Sequence, residues 1–148
     1  MLIGQEQIGS LLPHGPGMRL VDQIIRFDHE SLVATTWRHL DLDNPLRRSC
    51  GMLPISAGIE FAGQVTALHG ALTDDNKPSS PKQGFLVMAR DVTWQVERLD
   101  QIRTELEITV TLISRNEQSA MYQFHIQAGT GLALMTGRIA VYFQGVST

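Results

Sequence analysis

The second half of the chain alternates apolar and polar residues, and this pattern predicts antiparallel sheet. Four such segments follow Gly84, namely FLVMARDVTWQV, TELEITVTLISR, AMYQFHIQA and LALMTGRIAVYF. TELEITVTL shows the pattern most cleanly, because Leu106, Ile108 and Val110 fall on one face and the glutamates and threonines fall on the other. The polar breaks ERLDQ, NEQS and GTG predict hairpin connections between these strands.

The first half of the chain predicts a short helix, two strands and one long apolar helix. Residues 3–12 favour a helix that ends before Pro13, because a proline disfavours helical geometry at the residue before it. Two strand-like stretches, RLVDQIIRF and SLVATTWRHL, flank a DHE turn. After a loop over 41–52, the pattern predicts a helix that begins near Pro54 and ends before TDDNKPSSPKQG. We therefore expect one α+β domain over 1–148, with a long antiparallel sheet wrapped around one apolar helix.

The predicted long helix carries one carboxylate. The run from Gly51 to Leu72 contains Glu60 but no other acid, no lysine and no arginine. Ser56, Glu60 and Gln64 recur every four residues and form a narrow polar line, whereas a surface helix carries charges over its whole exposed side. We therefore expect Glu60 to be buried, either as a functional acid with a raised pKa or as a structural acid held by a partner elsewhere.

Composition and charge argue against several classes of protein. With 148 residues, the chain is long enough to form one core without disulfides or metal. Its formal charge of -3 provides no basic surface for nucleic acid or an anionic membrane, and no apolar run approaches the roughly 20 residues of a membrane span. The one cysteine, Cys50, stands near an arginine pair with no obvious base, which argues against a nucleophile. No Cys/His spacing is typical of a metal site. We also expect a cytoplasmic protein.

The segments LLPHGPGMRLVDQI and LPISAGIEFAGQ resemble motifs of the hotdog-fold 3-hydroxyacyl-acyl-carrier-protein dehydratases. LLPHGPGMRLVDQI resembles the opening motif of that family, L-L-P-H-R-x-P-x-L-L-V-D-R, with His14 and Asp22 among the matching residues. LPISAGIEFAGQ resembles its helix motif, F-P-G-V-L-I-x-E-A-M-A-Q, with Pro54, Glu60 and Gln64 in the corresponding places. The order of strands and helix agrees as well, so the resemblance covers nearly the whole chain. It is nearest to the divergent branch associated with aryl-polyene and accessory fatty-acid gene clusters.

The loop before the long helix departs from the family pattern. The housekeeping enzymes carry a catalytic histidine there in a G-H-F-P-G segment, whereas NPLRRSCGMLP contains no histidine. The resemblance implies that Glu60 keeps its place as the catalytic acid, and His14 is the candidate to replace the missing base. Family position further implies that the Ile55 amide donates to the developing oxyanion, that Gly58 allows close approach and that Gln64 orients Glu60.

The other four histidines are predicted to lie outside this pair. His29 falls in a turn and His39 at a strand end, where we expect both to be solvated. His69 is expected near the end of the long helix. His125 alternates with apolar residues in a strand, which favours a position on a sheet face.

The resemblance implies dehydration of 3-hydroxyacyl thioesters, carried on acyl carrier protein or coenzyme A, to trans-2-enoyl thioesters in fatty-acid or polyene-type biosynthesis. An imidazole can remove the α-proton and a carboxyl can protonate the departing hydroxyl, so neither metal nor organic cofactor is required. Two alternatives stay open: a catalytically silent acyl-binding subunit of a partner dehydratase, and a hotdog acyl thioesterase. The resemblance also implies a two-fold homodimer or higher oligomer, or a hetero-assembly with another hotdog dehydratase, and we expect no nucleic-acid or membrane partner.

Overall fold

A computed structural model describes residues 3–11, 18–73 and 86–142. In chain order the elements are α1 (Gln5–Leu11), β1 (Gln23–Phe27), β2 (Ser31–Thr36), a 3-10 helix (Arg38–Leu40), α2 (Ala57–Thr73), β3 (Leu86–Trp94), β4 (Leu106–Arg115), β5 (Ser119–Ala128) and β6 (Ala133–Tyr142). The six strands form one antiparallel sheet in the order β1-β2-β4-β5-β6-β3, and α2 packs against β2, β4, β5 and β6. The predicted α+β architecture, with a long sheet around one apolar helix and a short N-terminal helix, is confirmed.

The predicted two-faced character of β4 is confirmed by its burial. Leu106, Ile108 and Val110 are fully buried, whereas Thr111 on the other face is exposed. The neighbouring strand β5 continues the apolar layer, because Ile108 pairs with Ile126 across the sheet. The core therefore lies between this face of the sheet and α2.

The hairpins predicted at NEQS and GTG are confirmed, but the hairpin predicted at ERLDQ is wrong. Strand β3 pairs with β6 at the sheet edge, whereas β4 pairs with β2 and β5, so the 95–105 connection crosses to the middle of the sheet. Leu99 explains this path, since its side chain is fully buried and its N–H donates to the Leu53 carbonyl at 2.8 Å. Pro54 forms a bridge with Arg98 in the same connection, and α2 consequently begins at Ala57 rather than near Pro54.

The predicted continuation of β2 to Leu40 is wrong, because the strand ends at Thr36. The Asp22 carboxylate accepts a hydrogen bond from the Trp37 N–H at 2.8 Å, and the Thr36 hydroxyl oxygen accepts one from the Arg38 N–H at 2.9 Å. These side chains bind main-chain donors that a longer strand would present to its neighbours in the sheet. The chain therefore leaves the sheet and enters the 3-10 helix.

The two edges of the sheet differ in how they are covered. The outer edge of β1 pairs with the backbone of Ile3, because Ile3 and Ile24 exchange two backbone hydrogen bonds of 3.0 Å. Among the described residues, no strand lies beyond β3 at the opposite edge. Met88 and Trp94 on β3 are 53% and 51% exposed. Strand β3 is therefore the open edge of this sheet.

Candidate functional site

Glu60 lies in the first turn of α2 and is exposed to solvent. The prediction that it is buried is wrong for the single chain. The protein covers most of α2 but leaves a strip, hereafter the Glu60 strip, on which Ser56, Glu60 and Ala71 are exposed and Ile59 and Ala67 are half-buried. Glu60 is the one charged residue of this strip. A helix with few charges is expected to be covered, but the sequence does not reveal whether the same chain or a second chain covers it. In this structure the same chain leaves the strip exposed.

The Glu60 carboxylate has no hydrogen bond or ion pair with any described residue. Apart from His69, Glu60 is also the one ionisable side chain on α2. The carboxylate is thus available to a ligand, unlike Asp100 close to the start of the helix. Asp100 accepts hydrogen bonds from the Arg98 guanidinium and the Leu53 amide, and the arginine foremost lowers the pKa of Asp100 to about 2.

Gln64, one turn after Glu60, does not orient the Glu60 carboxyl as predicted. Gln64 is only 6% exposed, and its side-chain Oε1 accepts a hydrogen bond from the Leu20 N–H at 2.8 Å. Its Nε2 donates to the Met18 carbonyl at 2.5 Å. Both ends of the carboxamide are therefore bound to main chain from the opening segment of the protein.

The Ile55 amide does not supply the predicted oxyanion donor, because it donates to the Glu97 carbonyl at 3.0 Å. The next amides are also occupied, since those of Ala57, Gly58 and Ile59 donate to carbonyls three residues earlier. Among residues 55–59, this leaves the Ser56 N–H without a partner in the described chain. Ser56 lies on the same exposed strip as Glu60. The helical spacing of Ser56 and Glu60 could have indicated this donor, but the bond made by Ile55 could not be foreseen.

Gly58 faces the sheet and not the exposed strip. A Cβ atom at this position would lie 2.7 Å from the Met135 sulfur and 3.0 Å from Ile126 Cδ1. Gly58 therefore allows α2 to pack closely against β5 and β6. The close approach that is expected at this residue is made by the sheet.

His14, the predicted base, lies outside the described residues. The described chain resumes at Met18, and the residues that follow are firmly held. Leu20 and Val21 are buried, and the Asp22 N–H donates to the Thr35 carbonyl at 3.1 Å. Asp22 also forms an ion pair of 3.1 Å with Arg38, which gives this motif residue a structural role.

The loop that lacks the family's histidine is organised by an arginine. Arg47 donates to the carbonyls of His39, Asp41 and Gly51 at 3.3, 2.7 and 2.5 Å. Cys50 in the same loop is exposed. Within the described residues, no group of His, Cys, Asp and Glu side chains has the arrangement of a metal site.

His39 and His69 are buried, which corrects the prediction that His39 is solvated. His39 Nε2 donates to the Ile102 carbonyl at 2.9 Å, and burial lowers the pKa of His39. His69 Nε2 donates to the Asp28 carbonyl at 2.9 Å, so its neutral ring accepts the Tyr122 hydroxyl proton at Nδ1 over 2.7 Å. Burial likewise lowers the pKa of His69 and raises that of Tyr122 to about 12.

The two remaining histidines lie where the sequence predicts. His29 is exposed in the turn between β1 and β2. His125 is half-buried on the face of β5 that points away from α2, and its Nε2 lies 3.1 Å from the Gln127 side-chain oxygen. Neither position brings an imidazole to the Glu60 strip.

Solved structures with the same arrangement define the fold class. A structure described as the dehydratase heterocomplex ApeI:P from Xenorhabdus doucetiae is 22% identical, with a TM-score of 0.81 over 94% of this chain and 91% of that chain. A thioesterase from Haemophilus influenzae is 15% identical, with a TM-score of 0.62 over 99% and 94% of the two chains. A mutant thioesterase from Pseudomonas aeruginosa is 16% identical, with a TM-score of 0.57 and 93% of each chain covered. At these identities the likeness establishes the fold, which is the hotdog fold.

The family follows from the sequence match. A family model described as ApeP dehydratase matches residues 6–145, and the chain belongs to this ApeP-like family. No curated protein matches the sequence. None of the described helices is both long and apolar enough to cross a membrane.

Proposed function

We propose that this chain dehydrates 3-hydroxyacyl thioesters to trans-2-enoyl thioesters, with Glu60 as the acid and His14 as the base. The proposal rests on the exposure and the pairing of the Glu60 carboxylate in a chain that belongs to a dehydratase family. The carboxylate pairs with no described residue and is exposed on a strip of α2 that has no other charge. We place the reaction in the cytoplasm, in fatty-acid or polyene-type biosynthesis, with the whole chain acting as one hotdog domain.

The proposed residues can divide the reaction between them. Neutral His14 removes the proton from C2, and the C–H electron pair forms the C2=C3 double bond as the C3–O bond breaks. Glu60 in its protonated form donates its proton to the departing hydroxyl, which leaves as water. The Ser56 N–H at the start of α2, which has no partner among the described residues, donates to the thioester oxygen while that oxygen carries developing negative charge. No cofactor enters this scheme, and the acyl group is carried on acyl carrier protein or coenzyme A.

We further propose that a second hotdog subunit covers the Glu60 strip. An ionisable acid works best as a proton donor where water is excluded, and the single chain leaves Glu60 open to solvent. The open edge of β3 supplies the means of pairing, because an uncovered strand edge adds readily to another sheet. The second subunit is another copy of this chain or a different hotdog dehydratase, as the name of the Xenorhabdus doucetiae heterocomplex suggests.

One observation favours a second candidate function, a catalytically silent subunit of a partner dehydratase. Of the histidines in the described residues, His39 and His69 are buried and bonded, while His29 and His125 lie in a turn and on the far sheet face. A base must then come from His14 or from the other subunit. In a silent subunit, Glu60 would serve to bind the acyl thioester.

Thioester hydrolysis is the third candidate, because an exposed carboxylate can activate water toward the thioester carbonyl, and two similar folds are described as thioesterases.

One experiment separates all three functions. The purified protein is incubated with 3-hydroxyacyl and with saturated acyl thioesters of coenzyme A and of acyl carrier protein. Mass spectrometry follows loss of water, and a thiol reagent follows free thiol. Enoyl product supports the dehydratase, thiol release from the saturated thioester supports hydrolysis, and absence of both with retained acyl binding supports the silent subunit.

A further inference from the structure

Strand β3 contains a β-bulge at Asp91. Asp91 and Val92 together lie opposite one residue of β6, Gly137. Among the described residues, Asp91 is the one non-glycine with a positive φ, 54°, a conformation that is uncommon for a residue with a side chain. The added residue turns the side chains that follow it to the face opposite to the one that strict alternation would give. The bulge at Asp91 therefore decides on which face of the sheet Trp94 lies.

Trp94 points to the side of the sheet that carries α2. The hydroxyl oxygens of Thr93 and Thr136 lie 2.9 Å apart, so this cross-strand pair shares one face. The next pair, Trp94 and Met135, consequently lies on the other face. Met135 identifies that face, because its sulfur lies 2.7 Å from the position that a Cβ atom of Gly58 would take. Trp94 therefore lies beside the first turn of α2.

The flank of α2 that faces β3 is apolar and incompletely covered. Ile59 lies on this flank, about 140° around the helix from Gln64, whose side chain binds Leu20 on the β2 side. Ile59 is half-buried, and Trp94 is 51% exposed although it points to the helix side of the sheet. The helix packs against β2, β4, β5 and β6, and β3 lies beyond them at the edge. Trp94 therefore extends the Glu60 strip toward the open edge of the sheet.

We propose that Trp94 is a specificity-determining residue whose indole packs against the acyl chain of the thioester. This inference rests on the proposed function, which places the reacting carbons at Ser56 and Glu60. The Ser56 N–H and the Glu60 carboxylate have no partner among the described residues, and the indole beside them is half-exposed. One 3-hydroxyacyl thioester matches all three groups, because its oxygens suit the amide and the acid and its hydrocarbon chain suits the ring.

Intrinsic fluorescence tests the proposal without turnover. The chain has two tryptophans, so Trp37→Phe leaves Trp94 as the one emitting indole and Trp94→Phe leaves Trp37. The probes are pantetheine, the thiol arm that coenzyme A and acyl carrier protein share, and its oxoalkyl thioethers with chains of about four and about twelve carbons. These thioethers are neither dehydrated nor hydrolysed. We expect the longer chain to shift the Trp94 emission to shorter wavelength, because the ring leaves water, whereas pantetheine alone leaves it unchanged. The Trp37 emission should not respond.

Alanine variants test the contribution of the ring to chain-length preference. Trp94→Ala should weaken binding of the longer thioether by about fivefold to twentyfold and of the shorter one by less than about twofold, because the longer chain covers more of the ring. Trp37→Ala, at a 46% exposed tryptophan, is the matched control and should change neither affinity. Calorimetric titration measures both. In the dehydration assay, Trp94→Ala should lower kcat/KM for the longer substrate by a similar factor and so reduce discrimination between chain lengths.

Two results would overturn the proposal directly. One is a Trp94 emission that does not respond to the longer chain, and the other is an unchanged affinity for that chain in folded Trp94→Ala protein. An emission that changes with protein concentration instead of ligand would assign the ring to a subunit contact and would overturn the proposal as well. Failure of the proposed function has a different signature, since the wild type then forms no enoyl product while Trp94 still responds to the longer chain.

Discussion

The rings of His69 and Tyr122 meet edge to face inside the core, with their planes 87° apart and their centroids separated by 5.4 Å. The contact ties α2 to β5, and the second ring nitrogen of His69 ties α2 to the turn after β1. The bond from the Tyr122 hydroxyl requires the neutral imidazole, because a protonated ring could no longer accept the tyrosine proton, whereas the bond to the Asp28 carbonyl survives protonation.

Stability should therefore fall as the solution becomes acidic. Burial lowers the pKa of His69 and of His39 in the folded protein, whereas an unfolded histidine takes up its proton near pH 6.5. The unfolded state then binds more protons, so the free energy of unfolding is highest above about pH 6.5 and decreases as the pH falls below it. Urea unfolding between pH 5 and pH 8 measures this slope. A free energy of unfolding that stays constant or increases from pH 7 to pH 5 would contradict the assignment.

Glu60→Gln should abolish dehydration without unfolding the protein. An amide cannot donate the required proton, so we expect turnover to fall on the order of a hundredfold or more. The site is exposed, and the free energy of unfolding should change by less than about 0.5 kcal/mol. Glu30→Gln, at an exposed turn, is the matched control for enoyl formation and thermal unfolding. Retained activity in folded Glu60→Gln protein would remove Glu60 from the mechanism.

His14→Ala should depress turnover while acyl binding survives. As a general base His14 acts in its neutral form, so the wild-type rate should also decline below roughly pH 6. The pH profile of kcat, together with titration of an acyl thioester against both proteins, checks the prediction. His29→Ala, which changes an exposed histidine in a turn, provides the comparison. If His14 only braces the chain, thermal stability will fall and the rate will follow the folded fraction.

Met88→Lys should weaken association between subunits. Met88 is 53% exposed on the open edge strand β3, where an added charge opposes pairing with another strand. Ile113→Lys makes a similar change at a 49% exposed residue of the inner strand β4 and should leave association unaffected. Sedimentation velocity at micromolar concentration distinguishes the two variants. A monomeric wild type, or a Met88→Lys dimer as tight as the wild type, would rule out assembly through β3.

The features that the sequence predicts well are those with a local physical cause. The alternation around Ile108 places one face of β4 in the core, and the uncharged run around Glu60 predicts the long helix. Both depend on the periodicity of neighbouring residues, which the sequence displays directly. Motif spacing likewise selects Glu60 and Gln64 as residues of interest, although it does not establish what they bind.

Most of the errors concern partners that are distant in the chain. Gln64 binds Met18 and Leu20, Ile55 binds Glu97, and β3 pairs with β6, and no local pattern encodes any of these choices. The predicted burial of Glu60 is wrong for a related reason. An apolar helix indicates that other protein must pack over it, but its sequence does not indicate whether the same chain or a second chain does so.

The position of β3 at the sheet edge also constrains how the protein is made. On the ribosome β3 emerges before β4 and β5, yet it joins the sheet through β6, which follows both of them in the chain. Until β6 arrives, both sides of β3 are unpaired, and the nascent chain exposes a strand that contains Trp94. Pairing of β3 with β6 is a contact between distant parts of the chain and is correspondingly slow to form. The nascent protein is thus most exposed to aggregation before β6 has emerged, and the emergence of β6 is the step that allows the sheet to close.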